Sequence, residues 1–408
     1  MNTKIRLTLM NFLQYAVWGA WLISLGAYLG NTLKFDGLQI GSFFATMGIA
    51  SLFMPAVMGI IADRWIPAQR LLGLCHLFAA GFITLAATRT DYNSLYTLVL
   101  LSVMFYMPTI ALSNSVAYNA LEKAGLDTVT HFPPIRVWGT VGFICAMWVV
   151  DLGKMGLSAT QLYFSATLGL ILGLYSFTLP NCPINRSGGG KSIVDLLGLR
   201  AFALFKQRKM VIFFIFSMLL GMSLQITNAF ADGYIKSFGD TGIHGAKYLG
   251  TFGVEHSTIL ISLSQISETL CILLIPFFLK RFGIKRVMLI AMFAWVLRFA
   301  LLGAGNPGPG VWMFILSMIV YGVAFDFFNI SGSLFVEKET SAAIRSSAQG
   351  VFMIMTNGLG ALIGSYLAGW VVNHYGWPLS WYLFAGFSLV VAIVFAVIFK
   401  YKHDPNRI

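Results

Sequence analysis

Four charged side chains fall inside apolar stretches of this sequence: Arg136, Glu268, Arg298 and Asp326. Asp326 lies in V-Y-G-V-A-F-D-F-F-N-I-S, residues 320–331, between Phe325 and the pair Phe327 and Phe328. A carboxylate deprived of water favours its neutral form, and a nearby cation such as Arg136 restores the charge. If conformation changes access to either, proton uptake and release follow the motion. That is the minimum for coupling a proton to a transported solute. The simpler alternative is a static buried ion pair.

Other polar residues repeat at helical spacing. Glu268 follows Gln265 by three positions, and Asn228 follows Gln225 likewise, so each pair shares one helix face. Amides can merely join neighbouring helices, worth about 0.6 kcal/mol each. A carboxylate is a costly way to do that, since its burial at membrane depth costs roughly 2.5–3.5 kcal/mol. Arg136, Thr140 and Phe143 fall at i, i+4 and i+7 in R-V-W-G-T-V-G-F, a stripe of cation, hydroxyl and ring. Tyr321, Phe325 and Asn329 lie one turn apart in succession. Rings alone indicate packing or lipid contact. Rings interleaved with amides and carboxylates suit a flat, neutral, hydroxyl-rich ligand, stacked on its faces and hydrogen-bonded at its edges. Arg298 reads as a structural or snorkelling residue, and Asp232 sits near the outer end of its apolar run.

These residues need elements that can hold them in a bilayer. The chain has 408 residues, 58% hydrophobic and 10% charged, with a mean hydropathy of +0.79. A water-soluble core cannot absorb that much apolar surface. Runs long enough to cross about 30 Å of hydrocarbon recur throughout. They predict an all-α integral membrane protein with twelve transmembrane helices, near 8–29, 38–62, 70–88, 94–119, 134–152, 160–179, 210–235, 257–279, 284–304, 310–335, 346–372 and 379–399. The first run continues as a span and lacks a small-residue cleavage site, which argues against a removable signal peptide.

The net charge of +12 is a matter of topology. Of the 27 Lys and Arg, 21 fall on one side of the predicted spans and five on the other, namely Lys34, Arg89, Lys154, Lys236 and Lys247. The positive-inside rule then places both termini in the cytoplasm and removes any need for nucleic acid. The four cysteines, Cys75, Cys145, Cys182 and Cys271, show neither disulfide nor metal spacing.

A polar connection rich in basic residues divides the spans six and six. The expected organisation is an N-terminal half over 1–180, a cytoplasmic linker over 181–209 and a C-terminal half over 210–408. G-I-I-A-D-R, residues 59–64, resembles the loop signature of the major facilitator superfamily, although the following W-I-P-A-Q-R reduces its basic cluster. Two other matches are decoys. G-G-G-K-S at 188–192 lacks the earlier Gly and the preceding strand of a phosphate-binding loop. The sequon Asn329-Ile330-Ser331 lies within a span.

Longer stretches are more specific: F-L-Q-Y-A-V-W-G-A-W, F-P-P-I-R-V-W-G-T-V-G-F, L-Q-I-T-N, S-Q-I-S-E, Y-G-V-A-F-D-F-F-N-I-S-G-S and the closing K-Y-K-H. Together they resemble the bacterial nucleoside:proton symporters of the major facilitator superfamily, essentially end to end. The resemblance implies a carrier of the cytoplasmic membrane, a monomer that needs no cofactor because the proton gradient drives it, with two six-helix halves rocking about a central site. It implies that Arg136, Thr140, Phe143, Gln225, Asn228, Gln265, Glu268, Tyr321 and Phe325 contact the nucleoside. Asp326, with Glu268, would couple the proton. The Gly-rich loop 236–256 departs from the family pattern and bears on access and on preference among nucleosides.

Three alternatives stand beside this reading. A symporter for another neutral polyol would share the carboxylates but has less need of paired rings and amides. A sensor would bind the nucleoside without moving it. An enzyme acting on lipid would need a nucleophile with its base, or a metal cluster, and the six histidines form no such set.

Overall fold

The computed structural model describes residues 2–182, 184, 199–241, 246–341 and 344–401. Among the described residues the backbone is helical throughout and contains no strand. In the first half α1 is Thr3–Gly19, α2 Gly37–Arg64, α3 Ala68–Ala87, α4 Tyr92–Lys123, α5 Thr128–Leu152 and α6 Thr160–Ser176. In the second, α7 is Arg208–Ser237, α10 Val311–Glu339 and α12 Leu379–Ile398. The helix Ser257–Ala304 has 48 residues, about 70 Å if straight, more than twice a bilayer core. It is not straight. Gly283 adopts φ 74°, a left-handed conformation that breaks the run into two arms, α8 (257–282) and α9 (284–304). α11 runs from Arg345 to Tyr375 and includes a π-helical segment, Ile354–Gly360.

Among the described residues, nine helical runs are individually long and apolar enough to cross a membrane. The twofold Ser257–Ala304 supplies one span more. The other two expected spans are α6, with 17 residues, and α1, which is interrupted. The sequence predicts one continuous span over 8–29, whereas α1 stops at Gly19, passes through a turn over 20–24 and resumes as the short helix Leu25–Ala27 and the π-helix Tyr28–Thr32. The break is pinned from outside the helix, because Ser24 Oγ donates to Gln161 Oε1 of α6 at 2.7 Å.

The chain divides into two compact units, residues 1–35 with 46–196, and residues 36–45 with 197–408. The first turns of α2 therefore group with the second unit, where the Gly37 amide donates to Asn373 Oδ1. Within the first unit α1 packs on α5, and α3 on α4 and α6. Gly19 and Gly142 bring α1 and α5 together so closely that a Cβ on either would collide with the partner's backbone at Phe143 or Phe12. Lipid gives no hydrophobic drive for this pairing, so small residues and close contact supply it.

Within the second unit the largest contacts are between α8–α9 and α10, and between α8–α9 and α12. Its core is aromatic. Phe213 meets Phe335 at 4.7 Å and Phe352 at 5.4 Å, and Phe299 meets Trp381 at 6.0 Å. Phe327 and Phe328 belong to this packing, each 1% exposed. Leu273 and Val397, by contrast, are 74% and 70% exposed, as side chains in contact with lipid should be.

Much of the expected linker, including the decoy at 188–192, lies outside the described residues, as do 242–245 of the loop 236–256 and the end of the K-Y-K-H motif. The other decoy is placed: Asn329 is within α10 and donates to the Phe325 carbonyl.

Candidate substrate and proton site

In the first unit α5 carries Arg136, Thr140 and Phe143 on successive turns, with Phe143 buried. α1 completes the group. The Arg136 guanidinium stands 3.9 Å above the Tyr15 ring, close enough for a cation–π contact. Trp18 lies edge-on to Phe143 at 6.4 Å and 5.8 Å from Tyr106 of α4. Behind these rings runs a buried chain of hydrogen bonds. His76 Nε2 meets Gln14 Oε1 at 2.8 Å, Gln14 Nε2 donates to Thr109 Oγ1 at 2.7 Å, and the Tyr106 hydroxyl donates to the Gln14 carbonyl at 2.7 Å. An amide oxygen only accepts, so His76 carries its proton on Nε2. The chain fixes α1 against α3 and α4, and with it Tyr15 and Trp18.

In the second unit α7 presents Gln225 and Asn228. Gln225 is buried, and its Oε1 has no hydrogen-bond partner. α7 faces α10 here, since Leu220 and Leu224 line one small cavity with Phe325 and Asn329. On α10 the rings of Tyr321 and Phe325 stack with centroids 5.6 Å apart and planes within 5°. α8 meets α10 where a Cβ on Gly322 would collide with the Ser267 backbone, which sets Gln265 and Glu268 of α8 close to Tyr321. Asp326 is 5% exposed, and its Oδ2 has no partner. The structure thus brings Gln265, Glu268, Tyr321, Phe325 and Asp326 together.

Within its own unit, a second carboxylate, Glu268, acts on Asp326. One sequence expectation needs correction. Arg298 does not snorkel. It is 2% exposed and sits 4.6 Å over the Tyr321 ring, because α9 turns it into the helix packing rather than along the lipid. Sequence reading also gave no role to Tyr15, Trp18 and Tyr106. The i, i+3 spacing of Tyr15 and Trp18 in Q-Y-A-V-W was the available signal for the first two; Tyr106 offered none.

The arrangement is that of a carrier: rings and amides about a carboxylate pair, at membrane depth, with no metal-binding group among the described residues. The family description "Nucleoside H+ symporter" matches residues 1–404. The chain belongs to the nucleoside proton symporter family. This symporter is 50% identical over 410 residues to the nucleoside permease NupG of Escherichia coli (strain K12), covering 99% of this chain and 97% of the relative. It is 49% identical over 415 residues to the xanthosine permease of the same strain, covering 100% and 98%. A crystal structure of the nucleoside transporter NupG superposes with a TM-score of 0.91 at 51% identity, covering 98% of this chain and 100% of the other. The symporter is therefore a multi-pass membrane carrier with the major facilitator fold, and not an enzyme.

Proposed function

We propose that the protein imports nucleosides across the bacterial cytoplasmic membrane by alternating access, each with a proton, as a monomer with both termini in the cytoplasm. The proton gradient drives it without a cofactor. Arg136, Thr140 and Phe143 of the first unit, and Gln225, Asn228, Gln265, Glu268, Tyr321 and Phe325 of the second, contact the nucleoside. The rings take the faces of the base. The amides and Glu268 take its edge and the sugar hydroxyls, where charge-assisted hydrogen bonds are the stronger ones. Asp326, with Glu268, carries the coupling proton.

One observation supports this assignment above the others. A buried carboxylate oxygen without a partner, on Asp326, lies one residue from a ring stack that faces a second carboxylate. Two carboxylates that act on each other do not both ionise easily in a dry site. A proton held there is released when substrate or water reaches the pair, which ties proton movement to nucleoside movement.

The experiment is uptake of labelled uridine into sealed vesicles carrying the purified protein, with an inward proton gradient. Uphill accumulation that collapses when a protonophore is added supports the reading. No uptake of uridine or of any other nucleoside by folded protein overturns it.

A further inference from the structure

The site residues of the second unit lie on α7, α8 and α10, yet α11 also reaches the Phe325 ring. Leu224 of α7, Trp295 of α9 and Phe325 and Asn329 of α10 line one cavity together with Thr356 and Asn357 of α11. Both α11 residues belong to the π-helical segment Ile354–Gly360. A π-helix fits an extra residue into a turn, and such insertions are frequent at functional sites. This one is pinned by α7. A Cβ on Gly221 would collide with the Thr356 backbone, and one on Gly360 with the Met218 carbonyl.

The two α11 side chains differ in what they have left to offer. The Thr356 hydroxyl donates to the Phe352 carbonyl of its own helix at 3.0 Å. Among the described residues, the hydrogen-bond contact of the Asn357 amide is the Met353 sulfur at 3.9 Å, a weak acceptor. Its Oδ1 and a second Nδ2–H stay open. Asn357 is half-buried near the middle of a membrane-crossing helix, where an amide turned toward hydrocarbon would forfeit those bonds. It lines the same cavity as the ring assigned to the base instead. Asn329 stands there too, one turn along α10 from Phe325, with its Nδ2 on the Phe325 carbonyl at 3.2 Å.

We propose that Asn357, presented by the π-helical segment, is a further nucleoside-contacting residue, which hydrogen-bonds the Watson–Crick edge of a base lying against Phe325. The inference rests on the reading of that ring as part of the nucleoside site and adds what selects the base. An amide offers a donor and an acceptor side by side, and the uracil edge presents N3–H between two carbonyl oxygens. Asn357 Oδ1 accepts from N3–H, and its Nδ2 donates to a neighbouring carbonyl.

The test compares uridine with 3-methyluridine, whose N3 carries a methyl group in place of the proton, in vesicles holding the full-length protein. Asn357→Leu keeps the size of the side chain and removes the amide. In the wild type, 3-methyluridine should inhibit labelled uridine uptake more weakly than unlabelled uridine does. In Asn357→Leu the KM for uridine should rise about two- to twelvefold, with a smaller change in maximal rate, while inhibition by 3-methyluridine changes little, so the preference between the two shrinks by that factor. A purely structural role would weaken both alike. A wild type that holds the two alike, or a variant that weakens both alike or keeps the wild-type preference, overturns the proposal. Should Asn357→Leu fail to fold, Asn357→Ala decides by the same readings. A wild type that moves no nucleoside counts against the transport reading, whereas one that moves uridine while Asn357→Leu keeps its KM counts against this inference alone.

Discussion

Tyr321 and Phe325 lie one turn apart on α10 with their rings nearly parallel, 5.6 Å between centroids and 5° between planes. One turn apart at the end of α7, Tyr234 and Phe238 instead cross at 69°. Here Trp295 meets the edge of Tyr321 at 6.0 Å, and Arg298 covers it. The stack is held on several sides before any ligand arrives, and a preset platform lowers the ordering cost of binding a flat base.

Tyr321→Phe keeps the stack and removes the hydroxyl. Loss of one hydrogen bond worth about 0.5–1.5 kcal/mol should raise the KM for uridine about two- to twelvefold with a smaller change in maximal rate. Initial rates across a uridine concentration series check it. An unchanged KM would place the hydroxyl outside the substrate contacts.

Asp326→Asn keeps the size of the side chain and removes its proton exchange. Uphill accumulation should disappear, while exchange of internal for external uridine across equal proton concentrations should continue. Accumulation at the wild-type level would remove Asp326 from the coupling.

Glu268→Gln keeps the shape of a hydrogen-bonding group and removes its charge. A hydrogen bond to a charged group contributes about 1.5–3 kcal/mol, so uridine affinity should fall roughly 10- to 150-fold. Isothermal titration with purified protein reads this directly, and unchanged affinity would show that Glu268 does not touch the nucleoside.

How far these sites were legible in the sequence depends on what each depended on. Hydropathy located every span, because crossing a bilayer is a property of one helix at a time. It did not reveal the break after Gly19, which depends on Ser24 reaching Gln161, nor the burial of Arg298. The depth of a residue along a helix can be read from sequence, but the direction it faces depends on packing against other helices. Glu268 and Gln265 were legible through their spacing, since i and i+3 share a face. The partners of Tyr106 and His76 were not, because hydrogen bonds between helices leave no local pattern.

The Gln14 chain can be tested without transport. His76→Phe leaves Gln14 Oε1 without its donor in a site closed to water, at a cost of about 1–3 kcal/mol. Thr109→Val removes the acceptor of Gln14 Nε2 and should cost a similar amount. Both should lower the melting temperature in detergent. The double variant should lose less than the sum, because the two bonds share one amide. Strict additivity would mean that Gln14 does not link α3 and α4 as one unit.

Phe143→Ala separates binding from packing in the first unit. Phe143 is 7% exposed, touches Trp18 edge-on, and its backbone abuts Gly19. The α1–α5 contact at Gly19 is made by backbone atoms, so losing the ring should leave that helix pair assembled. If the ring stacks on the base, uridine affinity should fall about 5- to 150-fold, the range for losing one base–aromatic contact of about 1–3 kcal/mol, with a folded, monodisperse protein. Trp18→Phe distinguishes the causes, since it preserves a ring against Phe143 and removes only the indole. Should Phe143→Ala unfold the protein while Trp18→Phe binds uridine normally, Phe143 is a packing residue and the nucleoside contacts of this unit reduce to Arg136 and Thr140.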